Sequence, residues 1–322
     1  MKSIGGYFDL ELNNFGTYYH DDAVKLNSGQ SCFKYILLSL NVNKIYIPYY
    51  ICDSLISILK NLGISYEFYR VSRTFIPLIE NVDPNSHILI INYFGLLNNK
   101  INNLKIIFSS IILDNVHAFF LKYIDANIPV FYSTRKFFGV PDGGFVYCNP
   151  LLKISFKKDK SYNNFGHLLK RIDVNPEYGY NDFIKNELRI KKSGISLMSN
   201  ITKRLLLNID YNRVKEIRNN NFYYLHKLLK YSNEISDVID SATIDGPLVY
   251  PYLIKNGKYL RNYLINSHIY VPKYWVNVFK NVSNNMWEYY LTDNLVPLPI
   301  DQRYNINHMM YIIESIKSAQ II

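Results

Sequence analysis

Between Leu26 and Tyr147 the chain alternates short runs rich in β-branched residues with helix-length amphipathic segments, and this alternation leaves few folds open. Strands that read as continuous apolar runs are buried on both faces, and helices between them supply the cover, so the pattern predicts a mostly parallel sheet wrapped by helices. Lys44 to Ile47, Tyr66 to Val71, His87 to Asn92, Ile106 to Leu113, Val130 to Tyr132 and Gly144 to Tyr147 are the expected strands. Gly29 opens a helix with Phe33, Ile36, Leu37 and Leu40 at helical spacing, and Asp53 is placed to cap a second, Ser54 to Leu62, closed by Gly63. After Pro150 the texture turns to polar helices, clearest over Lys203 to Leu207 and Val214 to Lys230. The tail, with strands at Leu248 to Ile254, His268 to Val271 and Leu295 to Leu298 and helices at Lys258 to Asn266 and Ile306 to Lys317, reads as a small α/β lobe. The expected organisation is a large α/β domain over 1–150, a helical linking region over 151–235 and a small domain over 236–322.

Composition narrows the classes further. With 48% hydrophobic and 19% charged residues the 322-residue chain is of globular type, and it has no apolar run of the roughly 18 to 20 residues a membrane span needs. Met1 to Leu10 lacks the apolar core and cleavage site of a secretory signal, so a cytoplasmic location is expected. Three widely spaced cysteines, Cys32, Cys52 and Cys148, fit buried thiols in a reducing compartment and suggest neither disulfide nor metal site. The net charge of +10 is spread among Asn, Ile and Tyr rather than gathered into basic runs. That distribution argues against nucleic-acid binding and suits a basic rim that attracts an anionic small molecule.

Candidate chemistry collects at the expected strand ends. Lys136 lies in Ser133-Thr134-Arg135-Lys136-Phe137-Phe138-Gly139, between two strands, and Asp114 ends the strand before it. An amine for an imine and an anion for a pyridinium nitrogen are what pyridoxal 5'-phosphate (PLP) asks of a protein. As an isolated fact Asp114 also reads as a helix cap. Asn27-Ser28-Gly29-Gln30-Ser31 directly precedes the first helix, so free N–H groups, the helix dipole and hydroxyls converge where a phosphate could sit, or where an ordinary cap would. Ser133 can reach the same phosphate. His117 can contact the cofactor ring or rest as a satisfied core residue, and Asn92 can touch ring or substrate or only shape its turn. Tyr50, after the strand ending at Pro48, is placed to lie on the ring face, although in a chain of 30 tyrosines the structural reading is the default.

These residues in this order resemble the DegT/DnrJ/StrS-like sugar aminotransferase family. The series is Gly5-Gly6-Tyr7-Phe8, Asn27-Ser28-Gly29, Pro48-Tyr49-Tyr50, Asn92-Tyr93-Phe94-Gly95, Asp114-Asn115-Val116-His117-Ala118, Ser133 to Gly144 and Leu298-Pro299-Ile300, spanning nearly the whole chain. The resemblance implies the fold-type-I architecture of PLP transferases, with Lys136 as the lysine that carries the cofactor, Asp114 as pyridinium partner, His117 at the ring, and Gly29, Gln30 and Ser133 at the phosphate; Ser31, at the same helix start, is a further cofactor-binding candidate. It implies transfer of an amine, glutamate being the expected donor, to a nucleotide-linked keto sugar in surface-polysaccharide or O-antigen synthesis, by a homodimer. Tyr7, Asn92 and Arg303 are the substrate candidates. Elimination by a sugar lyase or dehydratase is the alternative chemistry, and a catalytically inactive binding or regulatory protein of the same fold the alternative class. The retained lysine favours transamination. The sequence departs from the family in Gly194-Ile195-Ser196-Leu197-Met198-Ser199, which lacks the Asn and Arg of the segment that reaches the partner's site.

Overall fold

The computed structural model describes residues 6–12, 16–122, 125 and 127–320, and Gly5 of the glycine-rich start lies outside them. In chain order, β1 (Val24–Leu26), α1 (Gly29–Ser39), β2 (Lys44–Pro48), α2 (Asp53–Leu62), β3 (Ser65–Val71), β4 (Pro77–Leu78) and β5 (His87–Ile91) come first. α3 (Ile101–Ile107), β6 (Ile111–Asp114), β7 (Val130–Ser133) and β8 (Gly144–Tyr147) complete the sheet. Four helices follow without a strand: α4 (Gly166–Asp173), α5 (Pro176–Lys192), α6 (Asn200–Leu207) and α7 (Tyr211–Leu229). β9 (Val249–Leu253), α8 (Gly257–Asn266), α9 (Trp287–Asn294), β10 (Leu295–Pro299) and α10 (Ile306–Ser318) end the chain.

The eight strands run in the order β1-β8-β7-β6-β5-β2-β3-β4. The central pairs β3/β2, β2/β5, β5/β6 and β6/β7 are parallel, and β8, β1 and β4 add antiparallel edges. All four residues of β6 and of β7 are buried, as a sheet covered on both faces requires. Register sets Ile91 against Asp114 and Asp114 against Phe131, so the carboxyl ends of β5, β6 and β7 share one edge. Ligands of open α/β sheets collect at that edge.

Local expectations changed in four places. Ile106 and Ile107 belong to α3 and are 85% and 66% exposed, because α3 buries Ile101 and Leu104 instead; β6 therefore starts only at Ile111. Cys52, not Asp53, is the cap residue of α2, and Asp53 sits in the first turn, where its charge complements the helix dipole. Gly63 does end α2, with φ +68°. His268 to Val271 forms no strand, so among the described residues the C-terminal sheet is the antiparallel pair β9/β10. The long helix α5 went unforeseen although its start carries ordinary signals: Pro176 at the first position and an Asn175 side chain accepting from Tyr178 N at 2.8 Å. Among the described residues no helix is long and apolar enough to cross a membrane.

Candidate active site

Asp114 ends β6 with 6% of its surface exposed. Its Oδ1 accepts from Val116 N at 2.8 Å. Burial pushes the carboxyl up to about 7, against the opposing pull of that N–H and of the Lys136 charge. Three residues on, His117 is 2% exposed, and its Nδ1 has no hydrogen-bond partner among the described residues. The ring packs against Phe94, Tyr274 and Trp275 at centroid distances of 5.2, 5.5 and 5.7 Å. Burial and the Lys136 charge hold it well below the usual histidine range, so the imidazole is neutral at neutral pH.

Lys136 stands one 3₁₀ turn beyond β7, a turn pinned where Thr134 Oγ1 donates to the Asp142 carbonyl at 3.1 Å. Its amine lies 5.6 Å from the centroid of the Tyr274 ring. Although the side chain is exposed by surface area, its pKa is lowered, first by burial and also by Arg135, with Cys52 and Asp114 opposing. Both hold for a side chain crossing a cleft: water reaches it, while protein fills most of the surrounding sphere and weakens hydration of the charged form.

Ser28 caps α1, its Oγ accepting from Ser31 N at 3.1 Å and donating to Ser31 Oγ at 3.0 Å. A Cβ built on Gly29 would lie 3.4 Å from Ser133 Cβ and 3.5 Å from Val116 Cγ2, so the bare helix start faces both the lysine strand and the turn after Asp114. Ser31 and Ser133 are buried beside it and Gln30 is half-buried. Gly144 explains the close approach of α1 to β8, since a Cβ there would meet Ser28 C at 2.7 Å and Cys32 Sγ at 2.8 Å. The segment Gly194 to Ser199 packs on this chain's own helix start: Asn27 N donates to Ser196 O at 2.9 Å and Met198 N to Lys25 O at 3.0 Å.

Four sequence candidates take other places. Tyr50 is fully buried, T-shaped to Trp275 at 4.8 Å, with its hydroxyl donating to Tyr274 O at 3.3 Å; it supports the Tyr274-Trp275 corner rather than presenting an open face. Asn92 donates to Asn98 at 2.8 Å and Asn115 at 3.1 Å and accepts from Leu97 N at 3.0 Å, which commits its carboxamide to the turn and removes it from the substrate contacts. Tyr7 is 98% exposed and so lines no cleft among the described residues. Arg303 makes two bonds to Asp301, at 2.7 and 2.8 Å, and lies over Tyr304, so its own loop occupies it. In their place the fold brings Cys52, Tyr274 and Trp275 to the lysine and histidine. A cysteine after a strand carries no distinguishing pattern, and the two rings come from an aperiodic loop far along the chain.

No protein-family model matches the sequence, and no curated protein matches it. Solved structures do match in fold. DesV from S. venezuelae, in complex with a ketimine intermediate, is 14% identical with a TM-score of 0.63, over 93% of this chain and 85% of its own. PseC of Helicobacter pylori, an aminotransferase involved in the biosynthesis of pseudoaminic acid, is 13% identical with a TM-score of 0.61, over 92% and 86%. A DegT DnrJ EryC1 StrS aminotransferase from Brucella abortus is 13% identical with a TM-score of 0.59, over 92% and 85%. Near-complete coverage at so low an identity establishes the architecture: this chain has the fold-type-I fold of those aminotransferases.

Proposed function

We propose that the protein is a PLP-dependent aminotransferase that aminates a keto sugar. The observation that carries this reading is the convergence, at the carboxyl edge of one sheet, of the Lys136 amine, the Asp114 carboxylate and the Gly29–Ser133 cup. The orphaned Nδ1 of His117 and the side-chain-free start of α1, capped by Ser28 and set against Ser133, fit the cofactor at this point. When bound, PLP supplies an electron sink for the carbanion formed as the donor's α-proton is removed.

The chain's own residues divide the remaining work. Asp114, with a carboxyl balanced near neutrality, becomes fully ionised once a cation is set against it, so it favours a protonated ring nitrogen. Lys136, its amine partly desolvated, is free base at a lower pH than an ordinary lysine and serves as nucleophile, then as the base that holds and returns a proton. Neutral His117 offers an unused nitrogen at Nδ1. Ser28, Ser31 and Ser133, with the free N–H groups of α1, suit a phosphate dianion. The Tyr274 ring, 5.6 Å from the amine, covers part of its surroundings and contributes to its desolvation.

The amino donor is glutamate and the acceptor a nucleotide-linked keto sugar of surface-polysaccharide synthesis, in keeping with the sugar aminotransferases of like fold and with a net charge of +10 that attracts a diphosphate. We place the enzyme in the cytoplasm as a homodimer, the state in which fold-type-I sites are built. The test is the absorption of purified protein with added PLP, before and after glutamate, in wild type and Lys136→Ala. A visible band that needs Lys136 and that glutamate abolishes is expected; a wild type without the band refutes the proposal.

A further inference from the structure

Among the described residues the largest fully buried side chain is a cation, Arg218 of α7, 1% exposed. A buried charge costs several kcal/mol unless its hydrogen-bonding capacity is met, so its placement calls for a reason. Its partners are mainly carbonyls. Nη1 donates to Pro247 O at 2.9 Å and Leu248 O at 3.2 Å, Nε to Gln302 Oε1 at 3.0 Å, and Nη2 to Phe137 O at 3.2 Å. The guanidinium also lies 4.7 Å from the centroid of the Phe137 ring. Gln302 Nε2 donates to the same Phe137 carbonyl at 2.8 Å. Phe137 directly follows Lys136.

The carbonyl of the residue after the lysine thus receives two donors, one from α7 and one from the loop after β10. Both belong to the C-terminal half of the chain, which also supplies the Tyr274 ring over the Lys136 amine. We infer that Arg218, together with Gln302, is a positioning residue for Lys136: by binding the Phe137 carbonyl with two donors that are themselves hydrogen-bonded, the pair holds the lysine-bearing turn against the C-terminal half. The amine is thereby kept in the cleft between Asp114 and Tyr274. The inference rests on Lys136 being the reacting amine. Arginine suits the task because its planar fork of five donors reaches three segments at once, whereas lysine has one nitrogen.

The test reads Lys136 without cofactor. Acylation by dilute acetic anhydride across pH 6 to 11, followed at the Lys136 peptide by mass spectrometry, yields a midpoint for wild type, Arg218→Lys, Arg218→Met and Gln302→Ala. An amine released into water regains its ordinary value, so the Arg218 variants should move the midpoint up towards that of an ordinary lysine, and Gln302→Ala should move it up by less. Asn233→Ala is the control for general loosening: Asn233 is a buried hub that donates to Pro251 O at 2.9 Å and accepts from Leu253 N at 3.0 Å, away from the lysine turn. Its midpoint should stay at the wild-type value. The inference is overturned if Arg218→Lys keeps the wild-type midpoint, or if Asn233→Ala shifts as far. Should Arg218→Met fail to fold, Arg218→Lys and Gln302→Ala decide. A wild type that forms no borohydride-stable PLP adduct at Lys136 would refute the functional reading instead, and the acylation midpoints would still decide the clamp.

Discussion

Replacing Asp114 with asparagine should stabilise the cofactor-free chain at neutral pH while weakening its hold on PLP. The carboxyl is buried, and its folded value of about 7 lies above the unfolded 3.8. For an acid raised in this way the protonated form is the one folding favours. The contribution is fully present below pH 4 and is lost as pH climbs through 7. With about 1.36 kcal/mol per unit, roughly 1.7 kcal/mol has been lost by pH 5 and about 4.3 kcal/mol by pH 8. Asparagine cannot ionise, so the variant escapes the loss. Urea denaturation of both proteins at pH 5 and pH 8 should show the stability difference growing in the variant's favour by about 2 to 3 kcal/mol. Comparing the two pH values cancels the constant cost of exchanging carboxylate for amide. In a Lys136→Met background the gap should widen, because the Lys136 charge pulls the Asp114 carboxyl down. A difference that stays constant within about 0.5 kcal/mol across this range would refute the assignment of burial as the dominant force on Asp114.

Glycine substitutions separate packing from binding. Gly144→Ala, whose methyl would strike Ser28 and Cys32, should lower stability by about 2 kcal/mol or more in thermal or urea melts. Gly29→Ala meets only ordinary van der Waals contacts and should melt close to wild type, yet bind PLP at least about tenfold more weakly in a fluorescence titration, having filled the phosphate cup. Wild-type melting for Gly144→Ala, or wild-type affinity for Gly29→Ala, would contradict these roles. Ser28→Ala removes a cap whose Oγ serves Ser31 N and should cost about 1 kcal/mol in the same melts.

The parallel core was legible because its causes are local. The runs at β5, β6 and β7 are apolar without alternation, and that pattern has one economical solution, burial on both faces. Asp114, Ser133 and Lys136 were legible for a related reason: they sit where such runs stop, and chain order alone puts them on one edge. His117 could be located but not described, since whether its nitrogen is satisfied depends on Phe94, Tyr274 and Trp275, drawn from segments well separated in the chain. For Asn92 the sequence left contact and turn roles open, because its partners Asn98 and Asn115 are assembled only when the turn closes beside the next strand.

What the sequence determined by itself is therefore the sheet, its carboxyl edge and the identity of the groups there, because periodicity and strand ends are properties of neighbouring residues. What only the tertiary structure decided is the environment of those groups. Desolvation of Asp114 and Lys136 follows from how the whole fold buries them, and the Tyr274 ring over the amine and the grip of Arg218 and Gln302 on Phe137 depend on residues far apart in the chain, 81 and 165 positions for the two hydrogen bonds, being brought within 2.8 to 5.6 Å. Desolvation and hydrogen bonding act through space, and no local pattern encodes the distance between residues that meet only in the fold.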